Sequence, residues 1–277
     1  MSVSWSLTSK CNYNCPFCFK VFSEREINDR EAEIILKNLA NSGVRKISFT
    51  GGEPLLWPGN FPKLLKQAKS LKIITMIITN GSLLNSEKLK LFGDNLDWIT
   101  LPLDGSNEEN QILVGRPPGH FSQVIKLLDQ LKTGNYKLKI NTVLCKQNFK
   151  DIENIAQLIK KYKIKRWKVF QFFPIRSASF AYKDKYEVSN HEFNQVKAKI
   201  KSLFKPDECS IHLASIKELE NSYFCIDPNG IVYTTRRGKD YPLGDLKKQS
   251  GREIWENTTQ FDKKAYWERT SWFIGSK

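Results

Sequence analysis

Half of the chain's thiol chemistry sits in the eight residues Cys11-Asn-Tyr-Asn-Cys15-Pro-Phe-Cys18, a Cx3Cx2C spacing with an aromatic residue before the third cysteine. Of six cysteines in all, the other three, Cys145, Cys209 and Cys225, are scattered with no CxxC spacing among them. This is not a disulfide framework. Reduced thiolates gathered on one short loop suit soft iron or zinc. Three thiolates can hold three irons of a 4Fe–4S cluster, and the fourth iron is then open to bind and reduce a small molecule. A structural zinc site is the alternative, but zinc would want a fourth nitrogen or sulfur ligand, and no histidine stands near in sequence to supply it.

A second group of residues carries charge where charge is costly. Lys137, Lys139 and Asn141 lie at i, i+2 and i+4 of one strand candidate, and Arg166 and Lys168 share a face of the next by the same period. Central parallel strands are normally apolar on both faces. Cations from two adjacent strands would repel each other in a low-dielectric interior unless an anion lies between them. A phosphate-rich substrate would resolve the conflict; the alternative is that these side chains face outward and snorkel to water between helices.

The elements that must position these groups alternate strand and helix. Val3, Trp5 and Leu7 alternate with polar residues in a strand that leads into the cysteine loop. Asn28, with Glu31 three positions on, predicts a capping box at the start of a helix that Gly43 closes. Strand Lys46 to Thr50 runs into Gly51-Gly52-Glu53-Pro54, followed by a helix near Pro62 to Leu71, strand Ile73 to Thr79 and the turn Asn80-Gly81. Three more strands, Asp97 to Leu103, Lys137 to Cys145 and Arg166 to Phe173, are separated by helices around Phe121 to Lys132 and Asp151 to Lys163. Six βα units predict an α/β fold with a parallel sheet. After Phe173 the alternation stops. A helix near His191 to Phe204 precedes a hairpin of Tyr223 to Ile226 and Ile231 to Thr234 around Asp227-Pro-Asn-Gly230, and Tyr266 to Ile274 reads as an aromatic tail that docks. No repeat or low-complexity linker divides the chain, so a single domain is expected, with a core up to about Pro174 and an extension over 175–277.

Composition excludes several classes. Forty per cent apolar and 26% charged residues over 277 positions describe a folded protein able to bury a core. No apolar run is long enough for a membrane span and no secretory signal is apparent, so a cytoplasmic protein is expected. The formal charge of +15 points to an anionic partner or substrate. The lysines and arginines are spread without a concentrated basic stripe or RNP-like motif, so stable nucleic-acid binding is not expected.

The cysteine loop resembles the cluster motif of the radical S-adenosylmethionine (SAM) superfamily, and Gly51-Gly52-Glu53-Pro54 resembles the motif that superfamily uses for the SAM amino group. The resemblance implies a partial (β/α)6 barrel with its site at the C-terminal ends of the strands, as in related α/β folds. Closer still, Ser2-Val-Ser-Trp-Ser-Leu-Thr, Lys46-Ile-Ser-Phe-Thr-Gly-Gly-Glu-Pro, Val114-Gly-Arg116, Lys139-Ile-Asn-Thr-Val143 and Arg166-Trp-Lys-Val-Phe-Gln171 look like the viperin family, in order and at comparable spacing from Val3 to about Thr234. That family converts a nucleoside triphosphate to its 3′-deoxy-3′,4′-didehydro analogue, an antiviral chain terminator, by removing hydrogen from C4′ and expelling the 3′-hydroxyl as water.

The resemblance implies that Cys11, Cys15 and Cys18 hold a 4Fe–4S cluster and that Gly51, Gly52, Glu53 and Arg116 lie near SAM. It implies that Lys46, Lys139, Arg166 and Lys168 contact triphosphate and ribose, with Asn141 their polar neighbour, and that Tyr223 returns hydrogen to the product radical. A flavodoxin- or ferredoxin-type electron donor and a monomer are expected; CTP or UTP is the favoured substrate, with GTP next. Because Met1 directly precedes the first strand, the amphipathic membrane helix of animal viperins is not expected here. The sequence departs from animal viperins at Ser4, where they have asparagine, and in the tail Ser271-Trp-Phe-Ile-Gly-Ser-Lys277. A peptide-modifying radical SAM enzyme is the alternative: Cys209 and Cys225 before the turn at Asp227 faintly resemble the start of an auxiliary-cluster domain, but Thr234 and Thr235 stand where later cysteines would be needed.

Overall fold

The computed structural model describes residues 1–259 and 261–270. The first half alternates strand and helix, with α3 in a stretch where no helix is predicted: β1 (Ser2–Ser6), α1 (Asp29–Asn41), β2 (Lys46–Thr50), α2 (Phe61–Ser70), β3 (Ile74–Ile78), α3 (Ser86–Phe92) and β4 (Trp98–Pro102). It continues with α4 (Glu108–Val114), α5 (His120–Leu131), β5 (Lys137–Leu144), α6 (Ile152–Lys161) and β6 (Arg166–Gln171). Then follow α7 (Arg176–Ala181), α8 (Lys183–Tyr186), α9 (Asn190–Leu203), β7 (Ser210–Ala214), α10 (Ile216–Leu219) and β8 (Cys225–Ile226). The C-terminal part adds β9 (Ile231–Arg236), β10 (Lys239–Asp245), α11 (Gly251–Asn257) and α12 (Lys263–Thr270).

Local chemistry explains several boundaries. Asn28 accepts from the Glu31 amide at 3.0 Å while Glu31 accepts from the Asn28 amide at 3.1 Å, the reciprocal cap expected for α1. Gly43 leaves that helix at φ +75°, a left-handed conformation that side-chain-bearing residues rarely adopt.

The described strands form one sheet in the order β10-β9-β8-β1-β2-β3-β4-β5-β6-β7. Strands β1 to β7 are parallel to their neighbours, β8 joins the free edge of β1 in parallel, and β9 and β10 turn back antiparallel. The fold is thus the α/β partial barrel expected, with an antiparallel C-terminal addition. The parallel sheet extends past the six predicted units, because β7 carries on beyond Pro174. Its sequence Ser-Ile-His-Leu-Ala lacks a continuous apolar run, and its first three residues are not fully buried, so it gives little strand signal on its own.

Two faces of the sheet differ in chemistry. On the helix side, Val3 and Trp5, Ile47 and Phe49, Ile77, Ile99, Ile140, Trp167 and Val169 are buried in one continuous apolar core with the helices. Each large side chain buried there stabilises the fold by roughly 1.5–3 kcal/mol. On the lumen side, Ser2, Ser4, Ser6, Lys46, Ser48, Thr50, Lys139, Asn141, Arg166, Lys168 and His212 line a cavity of about 350 Å³. The core therefore lies outside the barrel, and the polar inner face leaves room for a ligand. Lys137 differs from its predicted partners on that face: it is exposed, with its ammonium 5.6 Å from the Trp98 ring centroid.

The end of the described chain docks on the first strand. The Tyr266 phenol accepts from the Ser2 amide at 2.5 Å and donates to the Ser2 carbonyl at 2.8 Å. Trp267 is half exposed, whereas Trp272, Phe273 and Ile274 of the predicted tail lie outside the described residues. Among the described residues no helix is long and apolar enough to cross a membrane.

Candidate active site

The cysteine loop is braced by the segment that follows β2. After β1 the chain keeps pairing: the Leu7 amide donates to Thr50, Gly52 to the Thr8 carbonyl at 2.7 Å, and Glu53 to the Lys10 carbonyl at 2.8 Å. A Cβ on Gly51 would lie 2.4 Å from the Thr8 carbonyl oxygen and one on Gly52 2.1 Å from that of Lys10. Both glycines line the cavity, and close approach of the Thr8 and Lys10 carbonyls is the physical reason that no side chain fits.

Glu53 is placed differently from Gly51 and Gly52. Its carboxylate is fully buried and does not line the cavity; it accepts from the Thr79 hydroxyl at 2.8 and 2.9 Å, the Asn80 amide at 2.8 Å and the Leu55 amide at 3.2 Å. Burial raises its pKa, and these donors act against that shift. Through Asn80, whose side-chain amide donates to Asn12 at 2.9 Å, Glu53 ties the rims of β2 and β3 to the cysteine loop.

Cys11, Cys15 and Cys18 are all free thiols on the cavity wall, Cys15 buried and the other two partly exposed. Donors point at their sulfurs: the Tyr13 amide at 3.4 Å from Cys11, and an Arg116 Nη1 at 3.5 Å from Cys15. Burial pushes the Cys15 thiol up, and the Arg116 charge pulls it back down. Three sulfur donors of one loop, facing a cavity and met by hydrogen-bond donors, fit an iron–sulfur cluster with one open iron. Arg116, for which the resemblance implies a place near SAM, directs its Nε and Nη2 to Asp104 at 2.8 and 2.7 Å and stacks 4.8 Å over the Phe17 ring.

The opposite half of the cavity collects the cations. In register across β5, β6 and β7, Lys139 faces Arg166, Asn141 faces Lys168, and Lys168 faces His212. Lys46, Lys139, Arg166 and Lys168 are each at most 8% exposed, so they point inward rather than snorkelling to solvent. Lys168 donates to the Tyr223 phenol, and the guanidinium of Arg269 lies 3.7 Å above the Tyr223 ring, held by hydrogen bonds to the Ser222 carbonyl at 2.6 and 3.2 Å. Among the described lining residues Asp104 is the one carboxylate, and Arg116 engages it.

Electrostatics record the crowding. Burial, and then repulsion from neighbouring cations, holds Lys46 and Lys168 well below the ordinary lysine value and brings Lys139 down to about 7. Burial lowers Arg166 to about 10; burial and then the nearby Lys168 bring His212 to about 2, so its imidazole is neutral. The Asn141 Oδ1 and His212 Nε2 atoms are buried without a hydrogen-bond partner among the described residues. Such orphaned polar atoms and like charges suit a polyanionic, hydrogen-bonding ligand.

Arg269, Asp104 and His212 escaped sequence reasoning. Arg269 lies in a polar helix and reaches the site only because Tyr266 pins that helix to β1. His212 sits on the strand whose signal is weak. Asp104 had a usable signal, since an acid just past the C-terminal end of a parallel strand lies on the rim where such folds build sites.

A sheet of this topology, with three loop cysteines after its first strand, defines a radical SAM protein, and residues 5–159 match the radical SAM superfamily. Native anSMEcpe with bound AdoMet shares the fold at a TM-score of 0.72, with 17% identity, over 94% of this chain and 81% of that one. The chain is 37% identical over 252 residues to an S-adenosylmethionine-dependent nucleotide dehydratase of Lacinutrix mariniflava, covering 86% of this chain and 51% of that protein. The chain thus spans about half the length of that relative. An S-adenosylmethionine-dependent nucleotide dehydratase of Flammeovirga pacifica is 33% identical over 253 residues, covering 86% of this chain and 83% of its own length. Within the superfamily, the chain belongs to the S-adenosylmethionine-dependent nucleotide dehydratases, the viperin family.

Proposed function

We propose that the chain converts a nucleoside triphosphate, CTP or UTP before GTP, to its 3′-deoxy-3′,4′-didehydro analogue, a polymerase chain terminator of antiviral use. The single observation that carries this reading is the set of inward cations, Lys46, Lys139, Arg166, Lys168 and Arg269, in the same cavity as the cysteine loop. Cys11, Cys15 and Cys18 would hold the cluster, and Gly51 and Gly52 would border SAM. Bound together, cluster and SAM supply a one-electron reduction that yields a carbon radical able to take hydrogen from C4′. The work of the chain is placement. Cations fixed on β2, β5, β6 and α12 hold the triphosphate, and Asn141 offers an acceptor to the sugar or base. Misplacing the reacting C4′–H by about 1 Å would cost on the order of 100-fold in rate. Lys168 and Tyr223, joined by a hydrogen bond, form a proton-bearing pair on the same wall, suited to delivering the proton that the product radical takes up after the 3′-hydroxyl leaves, with the accompanying electron coming from the external reductant. Flavodoxin or ferredoxin is the class of electron donor to test.

The test is an anaerobic reaction of iron-reconstituted protein with SAM, dithionite and an equimolar pool of CTP, UTP, GTP and ATP, read by mass spectrometry. One nucleotide loses a single water as 5′-deoxyadenosine accumulates. If 5′-deoxyadenosine forms while every nucleotide stays intact, the nucleotide reading fails and peptides become the substrate class to examine.

Binding should also take up protons. Lys139, brought down to about 7 by burial and then by Arg166, is mostly neutral at pH 8. A bound triphosphate favours its charged form and raises its pKa. Calorimetric titration with a nucleoside triphosphate in buffers of different ionisation heat therefore gives net proton uptake at pH 8, and less uptake at pH 6, where Lys139 is already protonated. An uptake independent of pH would mean the phosphates do not meet this lysine.

A further inference from the structure

Arg116 is engaged by three different groups, none of which is a substrate. Its Nε and Nη2 reach one oxygen of Asp104 at 2.8 and 2.7 Å, its Nη1 reaches the sulfur of Cys15 at 3.5 Å, and its plane covers Phe17. Asp104 is itself immobile: it is fully buried, its second oxygen accepts from the Val143 amide at 2.7 Å, and its carbonyl accepts from Asn148 at 2.9 Å. The backbone that carries Arg116 is pressed on the cysteine loop. Gly115 ends α4 at φ +100°, where a Cβ would come within 2.6 Å of Pro16 Cδ, and Tyr186 donates to the Val114 carbonyl at 3.0 Å. Geometry thus aims one guanidinium at one thiol and balances it with one carboxylate.

We propose that Arg116 and Asp104 form a charge pair that sets the reduction potential of the iron–sulfur cluster through the sulfur of Cys15. The inference rests on the cysteine loop holding the cluster, and it does not depend on which substrate follows. Reduction adds one electron, supplied by dithionite or a protein donor, and breaks no bond. A positive donor hydrogen-bonded to a ligating sulfur stabilises the extra negative charge and raises the potential. Asp104 offsets part of that charge and keeps the guanidinium in place. A guanidinium stays protonated in proteins, so Arg116 brings a fixed positive charge to this place. The side chains of Arg116 and Asp104 are 11% and 0% exposed, so solvent screens the pair little. Arg116, which also lines the cavity, is in this role a positioning and tuning residue for the cluster.

An EPR-monitored redox titration of the reconstituted protein, without SAM or nucleotide, reads the effect directly. Arg116→Met should make the added electron about tenfold less favourable, a fall of about 59 mV for a one-electron couple. Asp104→Asn should shift the potential the other way, because it leaves the guanidinium charge uncompensated. Arg116→Lys, which keeps charge but loses the fork, should fall between Arg116→Met and the unsubstituted protein. Iron content and cluster EPR line shape check that each variant carries an intact cluster. If Asp104→Asn fails to load, the ranking of the Met and Lys variants still decides. Unchanged potentials, or shifts of the same sign in Arg116→Met and Asp104→Asn, overturn the proposal. Weaker SAM binding by Arg116→Met at an unchanged potential does so as well, and returns Arg116 to SAM. Because neither nucleotide nor turnover enters the measurement, its failure is distinct from failure of the dehydratase reading.

Discussion

A Lys139→Met, Lys168→Met double variant should melt at a higher temperature than the unsubstituted protein and yet hold nucleoside triphosphate far more weakly. Both lysines are buried among like charges, with burial and neighbouring cations lowering their pKa. Replacing buried charges by apolar groups of similar length is often stabilising, by about 1–4 kcal/mol. Lys168 gives up its hydrogen bond to Tyr223, which lessens the gain without reversing it. Losing a buried charge that meets a phosphate costs about 2–5 kcal/mol each. Two such losses weaken affinity by roughly 1000-fold or more. Scanning calorimetry and nucleotide titration on the same preparation check both halves. A lower melting temperature with unchanged affinity would mean that these lysines serve the fold and not the ligand. The unliganded protein should follow the same logic with pH. The folded pKa of Lys139 is depressed to about 7, so its contribution to stability is present above the unfolded lysine value and is lost as pH falls toward 7.

Cys15→Ala should abolish cluster binding and 5′-deoxyadenosine formation while leaving the fold in place. The apolar core lies between the sheet and the helices and does not include Cys15, which belongs to a smaller cluster with Phe17, Val114, Cys145, Phe172 and Tyr186. Removing one sulfur from that satellite should cost about 1 kcal/mol, or a few degrees of melting temperature in a chain of this size. Iron analysis and EPR should show the cluster gone, with circular dichroism and the melting curve close to those of cluster-free unsubstituted protein. A structural zinc site predicts the opposite, because metal binding would then supply folding free energy. A Cys15→Ala chain that fails to fold, with zinc in the unsubstituted protein, would overturn the cluster reading.

Much of this architecture is present in local pattern. Val3 and Trp5 alternate with serines, and Ile47 and Phe49 alternate with Lys46, Ser48 and Thr50. Period two fixes which residues share a face, so the polar and apolar sides of β1 and β2 follow from sequence. Cysteine spacing, the cap at Asn28 and the glycines after β2 are likewise short-range chemistry. Sequence alone could also pair Lys139 with Asn141 and Arg166 with Lys168, since each pair lies on one strand. What it could not do was choose the side, because period two is blind to which face becomes the lumen. Curvature of the parallel sheet made that choice, turning the cationic faces of β5 and β6 toward the cavity and away from the helices.

Long-range contacts decided the rest. Glu53 belongs to a motif read as a cofactor contact, yet the neighbouring strand supplies the Thr79 and Asn80 donors that draw its carboxylate behind the wall. Arg116 shows no partner in its own stretch of sequence; Asp104, on another strand end, meets one side of its guanidinium and Cys15 the other. Arg269 has no local signal at all; it reaches Tyr223 because the Tyr266 phenol docks α12 against the backbone of Ser2. Residue type and spacing determined which chemistry this chain carries, because thiolate, glycine and strand period act over a few residues. Tertiary structure decided which charges meet, because burial and pairing depend on elements brought together from distant parts of the chain.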